Sequence, residues 1–123
     1  MKRDFISILD WTSEEIRSNL DFAVELKHQT KEGKCPQLLQ GKTFGLFFHK
    51  PSLRTRLSFE VGITQLGGTA IVLTEQDFKI GERETVSDVA RVMSRYVDCI
   101  LIRTFSHQMV LDLSKHATVP VVN

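Results

Sequence analysis

Four short apolar runs, separated by segments of helical periodicity, constrain the fold of this 123-residue chain more than any other feature. The runs span residues 43–48, 69–73, 99–102 and 119–122. Nearly continuous apolar runs of this length are typical of strands covered on both faces, as in parallel sheets. Strands that alternate with helices favour a three-layer α/β/α domain with a central, mainly parallel sheet of about four strands. Pro120 cannot donate to a strand ladder, so we expect it at the start or exposed edge of its strand.

Capping residues indicate where the helices between these runs begin. Thr12 followed by Glu15 is a capping-box signature, and apolar residues then recur at helical spacing. A second helix is expected to end near residue 66, where two glycines follow, and a third to begin after the N-cap candidate Thr85. Residues 106–116 are predicted to form the fourth.

The charge balance restricts the classes of partner that this chain can have. Sixteen Lys and Arg against fifteen Asp and Glu give a formal net charge of +1, far from the basic surface of a nucleic-acid-binding domain. No apolar segment of membrane length occurs. Cys35 and Cys99 show no metal-ligand spacing, and Cys99 is expected to be a buried, inert thiol. We therefore expect a cytoplasmic protein without nucleic-acid or membrane partners, and any anion site must be local.

Basic side chains follow the first three apolar runs. The carboxyl ends of parallel strands meet at one edge of the sheet, where open α/β sheets bind their ligands. Arg103 is expected to be the first residue beyond the third strand. This shared edge is a candidate anion site. The basic residues concerned are Lys50, Arg54, Arg56, Lys79, Arg83 and Arg103.

The first of these loops has the residues that a phosphate site requires. Ser52 follows Pro51 at the expected start of a helix, where free backbone N–H groups and the helix dipole favour an anion. The hydroxyl of Thr55 and the guanidinium groups of Arg54 and Arg56 add donors. The same pattern also fits a simple N-cap followed by solvated helix charges, and the spacing alone favours neither interpretation. No Walker motif is present, so nucleotide hydrolysis has no support.

The segment FFHKPSLRTRLSFE, residues 47–60, resembles the carbamoyl-phosphate signature of the aspartate and ornithine carbamoyltransferases, whose usual core is Ser-Thr-Arg-Thr-Arg. Leu53 stands where that core has threonine, so only its backbone N–H is available there. The resemblance covers nearly the whole chain. Further blocks in family order and spacing are residues 65–68, 80–98, 102–105 and 119–123.

The resemblance implies a carbamoyl-phosphate-binding domain over residues 1–123, with a second, amino-acid-binding domain outside this chain. The implied reaction is attack by a neutral amine on carbamoyl phosphate, without metal or cofactor. Residues 90–96 and 103–107 resemble the ornithine more than the aspartate enzymes, which implies ornithine as acceptor and citrulline and phosphate as products. Aspartate or an N-acyl-ornithine remains an alternative acceptor. A non-catalytic phosphate-binding or oligomerisation module remains the alternative from another class.

The resemblance also implies roles for individual residues. Ser52, the Leu53 backbone, Arg54 and Thr55 would hold the phosphate, while Thr55 and Arg103 would polarise the carbonyl oxygen. The residues expected to take part in catalysis are therefore Arg103, Thr55 and Arg54.

Other residues of these loops are also assigned roles. Lys79 is expected to bind substrate, because it lies in a loop that, in this family, reaches the active site of a neighbouring subunit in a homotrimer. Arg56 is expected to support the first loop by pairing with Glu60 at helical spacing. His49 and the other histidines lack the spacing of a metal site or a nucleophilic dyad, and we interpret them as loop or helix-surface residues. The 123 residues alone are expected to bind phosphate weakly and to transfer no carbamoyl group.

Overall fold

The computed structural model describes all 123 residues and confirms an α/β fold with a four-stranded parallel sheet. The sheet order is β2-β1-β3-β4, and every neighbouring pair is parallel. None of the helices combines the length and apolarity that crossing a membrane requires. In chain order, after a short 3₁₀ turn at Ile8–Asp10, the elements are α1 (Ser13–Lys31), β1 (Thr43–Phe48), α2 (Leu53–Gln65), β2 (Thr69–Thr74), α3 (Val86–Tyr96), β3 (Cys99–Arg103), α4 (His107–His116) and β4 (Val121–Val122).

Helices cover both faces of the sheet, which explains why the strands are apolar almost throughout. Successive side chains of a strand point to opposite faces. Phe47 of β1 belongs to the larger core cluster, which includes buried side chains of α3 and α4. Its neighbours Leu46 and Phe48 belong to a smaller cluster with Ile63 of α2. The predicted three-layer arrangement is therefore observed, with its larger core on the α3 and α4 side.

Each of the four helices begins after a Ser or Thr whose side-chain oxygen accepts a backbone N–H three residues further on. The predicted capping box of Thr12 and Glu15 is present. The periodicity that predicts α1 does not lead to burial, because no residue of α1 is buried. Residues of α1 and α2, among them Leu26 and Gly62, line a common groove. The N-caps are Thr12, Ser52, Thr85 and Ser106.

One strand boundary at the carboxyl edge corrects the prediction. Arg103 is the last residue of β3 and not the first residue beyond it. It pairs with Phe48 of β1. Its carbonyl oxygen accepts the N–H groups of His49 at 2.9 Å and Lys50 at 3.1 Å. These backbone bonds extend the sheet by one residue and fix Arg103 to the loop that follows β1.

The two ends of the chain meet beside β4. Pro120 directly precedes this edge strand, as predicted, since it has no N–H to donate. The N–H of Phe5 donates to the carbonyl of Val121 at 2.9 Å, and the N–H of Asn123 donates to the carbonyl of Phe5 at 2.8 Å. Asp4 Oδ1 accepts the N–H of Val121 at 2.8 Å. The amino-terminal residues thus cover the exposed edge of the last strand.

Candidate active site

The carboxyl ends of β1, β2 and β3 lie side by side. Phe48, the last residue of β1, pairs with Thr74 of β2 and with Arg103 of β3. The three loops that follow these strands therefore leave the sheet at one edge, as the sequence predicts. In open α/β folds this is the edge at which ligands bind.

Two hydroxyl groups face each other at the start of α2. Ser52 Oγ accepts the N–H of Thr55 at 3.4 Å and donates to Thr55 Oγ1 at 3.0 Å. Ser52 is thus the N-cap, and both side chains are half-buried. The first N–H groups of any helix lack intrahelical partners, and the helix dipole is positive there. A cap of this kind leaves donors of α2 free for an anion, so the capping and phosphate-binding interpretations are compatible.

The two arginines that follow differ in their contacts. Arg56 Nε donates to Glu60 Oε2 at 3.2 Å, which is the pairing that the helical spacing predicts. Arg54 is exposed and makes no ion pair within the chain. The guanidinium of Arg54 therefore retains its donors for a ligand, while that of Arg56 is engaged along the helix.

The side chain of Arg103 is half-buried at the end of β3. Its Nε is the one buried side-chain nitrogen or oxygen that lacks a hydrogen-bond partner. Burying an unpaired donor costs free energy unless an acceptor reaches it. The backbone carbonyl of the same residue is fully engaged by the first loop. Arg103 is therefore held by its backbone and has an unused donor on its side chain.

His49 is a loop residue as predicted, but it is not a surface group. Its side chain lies half-buried between all three loops. Nδ1 is 2.8 Å from Oγ1 of Thr104, and Nε2 is 2.6 Å from Oε1 of Glu75. The ring also meets Phe105 edge-on, with 5.9 Å between the centroids. Sequence reasoning missed this residue because Thr104 lies 55 positions away, and only the register of β1 and β3 brings the two together.

A cleft of about 480 Å³ opens between the first and second loops. Its walls include His49, Ser52, Leu53 and Arg56, together with residues 74–76 at and just after the end of β2. Lys79 is not part of these walls, and its Nζ lies 3.9 Å from Glu82 Oε2 in its own loop. Arg54, Thr55 and Arg103 are also outside the cleft. The structure therefore joins Ser52 to Thr55 by hydrogen bonds and Arg103 to the first loop through its backbone, and it leaves Arg54 and Lys79 exposed.

Comparison with known proteins shows the family of this chain. A sequence model described as "Aspartate/ornithine carbamoyltransferase, carbamoyl-P binding domain" matches residues 3–123. The chain is 50% identical over 121 residues to an ornithine carbamoyltransferase of Anoxybacillus flavithermus, covering 98% of this chain and 38% of that protein. The chain thus spans about two fifths of the length of such relatives.

Solved structures show the same relationship in three dimensions. The ornithine carbamoyltransferase of Pyrococcus furiosus superposes with a TM-score of 0.95 at 50% identity, over 98% of this chain and 39% of that one. The catalytic subunit of M. jannaschii aspartate transcarbamoylase superposes with a TM-score of 0.88 at 34% identity, over 98% of this chain and 40% of that one. With the family sequence model matched almost end to end, this chain belongs to the aspartate/ornithine carbamoyltransferase family.

Proposed function

We propose that the protein carrying this chain transfers the carbamoyl group of carbamoyl phosphate to the side-chain amine of ornithine, giving citrulline and phosphate. Residues 1–123 form its carbamoyl-phosphate-binding domain, and ornithine binds mainly to a second domain. Within this family, the proposal rests on the arrangement of three side chains. The paired hydroxyls of Ser52 and Thr55 lie at the start of α2. The loop that connects β1 to α2 begins beside Arg103 of the neighbouring strand, whose side-chain Nε is unpaired.

The phosphate group binds at the amino terminus of α2. The helix dipole favours an anion there by about 0.3 to 1 kcal/mol, and by up to about 2 kcal/mol where the site is partly buried. The hydroxyl of Ser52 turns its hydrogen from Thr55 Oγ1 to a phosphate oxygen, the hydroxyl of Thr55 donates to another, and the backbone N–H of Leu53 adds a donor. Arg54 supplies a planar, multi-donor guanidinium suited to phosphate. Arg56 supports the loop through its ion pair.

The carbonyl oxygen of carbamoyl phosphate is polarised by Thr55 and Arg103. The neutral amine nitrogen attacks the carbonyl carbon, and a tetrahedral intermediate forms. Its collapse breaks the bond to the phosphate oxygen, and the proton that the amine loses passes to the departing phosphate. Negative charge develops on the carbonyl oxygen and on the departing phosphate. Donors already in place stabilise both charges.

Removing Arg103 tests its part in this reaction. Loss of one oxyanion donor typically lowers turnover about a hundredfold to a thousandfold, or about 2.7 to 4 kcal/mol. We expect this decrease for Arg103→Ala in the complete enzyme, measured as citrulline formed per active site under saturating substrates. Turnover equal to wild type would contradict the role of Arg103.

The complete protein is proposed to be a cytoplasmic homotrimer, or a multiple of trimers, that needs no metal or cofactor. Active sites are shared between subunits and close as the two domains approach. The exposed Lys79 reaches the site of a neighbouring subunit. Because the amine-binding domain and the shared subunits are required together, these 123 residues alone are expected to form no citrulline.

Ornithine is favoured over aspartate as the acceptor by the higher identity of relatives that are named for it. Aspartate or an N-acyl-ornithine is the alternative within the enzyme class. A non-catalytic phosphate-binding or oligomerisation module is the alternative outside it. The intact set of Ser52, Arg54, Thr55 and Arg103 argues against loss of the chemistry.

Calorimetric titration of this chain with carbamoyl phosphate tests the proposed site. We expect Arg54→Ala to weaken binding by about tenfold, because one charge-assisted pair to the phosphate is lost. Arg17→Ala is the matched control, since Arg17 is an exposed arginine of α1 that makes no ion pair. Equal affinities of Arg54→Ala and wild type, or no binding by either, would contradict the proposed half-site.

A further inference from the structure

The side chain of His49 uses both of its ring nitrogens to join loops. Nε2 faces Oε1 of Glu75 in the second loop at 2.6 Å, and Nδ1 faces Oγ1 of Thr104 in the third loop at 2.8 Å. In a neutral imidazole, a hydrogen on Nε2 that is donated to the carboxylate leaves Nδ1 to accept from the threonine hydroxyl. Neither nitrogen is then free for a substrate.

Aromatic neighbours fix the orientation of this ring. It stacks on Phe47, with 6.2 Å between centroids and 21° between planes, and it meets Phe105 at 79°. Only 21% of the His49 side chain is exposed. Lys50 Nζ lies 5.3 Å from the centroid of the same Phe105 ring, which adds a further contact between the first and third loops. The ring therefore has little freedom to leave its two polar partners.

The segments that His49 joins are those that hold the proposed binding groups. His49 lies three residues before Ser52, and Thr104 directly follows Arg103. The carbonyl of Arg103 already accepts the N–H groups of His49 and Lys50. The side-chain bond adds a second connection between the same two segments. Misplacement of binding groups by about 1 Å is enough to cost about a hundredfold in rate, so a contact of this kind has consequences for the site.

We propose that His49 is a positioning residue that holds the phosphate-binding turn at the separation from Arg103 that carbamoyl phosphate requires. The inference rests on the proposed function. Carbamoyl phosphate places its phosphate at Ser52 and its carbonyl at Arg103, so it spans both segments. Inorganic phosphate occupies only the segment that contains Ser52. Loss of the hydrogen bond between the two segments should therefore weaken the binding of carbamoyl phosphate more than that of inorganic phosphate.

The test is calorimetric titration of this chain with carbamoyl phosphate and, separately, with inorganic phosphate. His49→Asn keeps an amide group near the position of Nδ1, whereas His49→Gln keeps one near Nε2. We expect His49→Gln to lower the affinity for carbamoyl phosphate by about threefold to tenfold, which is the effect of one lost hydrogen bond. The affinity for inorganic phosphate should fall by less than about twofold. His49→Asn should stay within about twofold of wild type for both ligands. His107→Gln, at an exposed histidine of α4, is the control.

A second variant separates positioning from folding. Thr104→Val replaces the hydroxyl by a methyl group, which removes the contact with His49 and the longer contacts with Ser106 and Met109. It should reproduce the unequal losses of affinity of His49→Gln, with a melting temperature that confirms folded protein. Equal losses of affinity for the two ligands, or unchanged affinities for both, would overturn the positioning role without contradicting the proposed function. Weakening by His49→Asn but not by His49→Gln would assign the effect to Glu75 and would also overturn it. If the wild-type chain binds neither ligand, the proposed half-site fails, and this inference fails with it.

Discussion

At the scale of single residues, the contacts of the candidate site fall into two classes, those within one helix and those between strands. Ser52 as an N-cap and the ion pair of Arg56 follow from spacings of three and four residues within one helix. The contact between His49 and Thr104 joins residues 55 positions apart and exists only because β1 and β3 pair in parallel register. The unpaired Nε of Arg103 likewise depends on what surrounds it in three dimensions. The candidate site was therefore found by its local motif, while its internal connections required the structure.

At the same scale, Cys99 is expected to react slowly. Burial raises the pKa of its thiol to about 11, with further contributions from the nearby carboxylates of Asp4 and Asp98. Since the thiolate is the reactive form, about one thiol in a thousand is reactive at pH 8. We expect alkylation of Cys99 by iodoacetamide to accelerate about tenfold per pH unit between pH 8 and 10, measured by mass spectrometry of the native chain. The urea-unfolded chain provides the reference rate of alkylation. If Cys99 in the native chain were alkylated at that same rate at pH 8, the raised pKa would be contradicted.

The raised pKa of Cys99 also makes the stability of the chain depend on pH. The folded pKa lies above the ordinary value of 9.0, so the unfolded chain releases the thiol proton first as the pH rises. The contribution of Cys99 is fully present below pH 9 and is lost as the pH approaches about 11. The free energy of unfolding should therefore fall less steeply over this interval in Cys99→Ser than in wild type.

At the scale of elements, the capping residues and the apolar runs predicted the helices and strands, but packing decided their ends and their burial. Arg103 belongs to β3 because its carbonyl accepts two N–H groups from the loop after the neighbouring strand β1, a long-range effect. Helix α1 follows its predicted cap and periodicity, yet none of its residues is buried. Periodicity reports which side of a helix is apolar, and it does not report what covers that side.

Side chains of α3 and of the residue after it crowd the backbone of β1 at Gly45. A Cβ there would be 2.6 Å from Cε of Met93 and 3.4 Å from a methyl of Val97. We expect Gly45→Val to lower the free energy of unfolding by about 1 to 3 kcal/mol through overpacking. The measurement is urea denaturation followed by circular dichroism.

Gly62 provides the comparison, because it is a glycine whose surroundings leave room for a side chain. It lies within α2, and a Cβ there meets no atom within 4 Å. Gly62→Ala should raise the free energy of unfolding by about 0.5 to 1 kcal/mol, because alanine loses less backbone entropy in a helix. Similar destabilisation by both substitutions would show that the contact with Met93 is not the cause.

At the scale of the whole molecule, Asp4 connects the two ends of the chain. Its carboxylate accepts the N–H of Val121 and lies 3.0 Å from Lys2 Nζ. Hydrogen bonds to charged groups contribute about 1.5 to 3 kcal/mol, so we expect Asp4→Ala to lower the free energy of unfolding by about this amount in urea. Asp4→Asn, which keeps an acceptor oxygen, should lose less. Asp21→Ala, at an exposed carboxylate of α1, should leave stability unchanged. Equal stability of Asp4→Ala and Asp21→Ala would contradict the role of Asp4.

Because residues 4–6 lie against residues 121–123, the polypeptide almost closes into a ring. A short linker from Asn123 to Met1 would make it circular, and new ends could be opened at the exposed turn around Gly33, between α1 and β1. A circular permutant made in this way would leave β1, β3 and the loops after them uninterrupted. The domain could also be inserted into a surface loop of a host protein, since its two attachment points are neighbours.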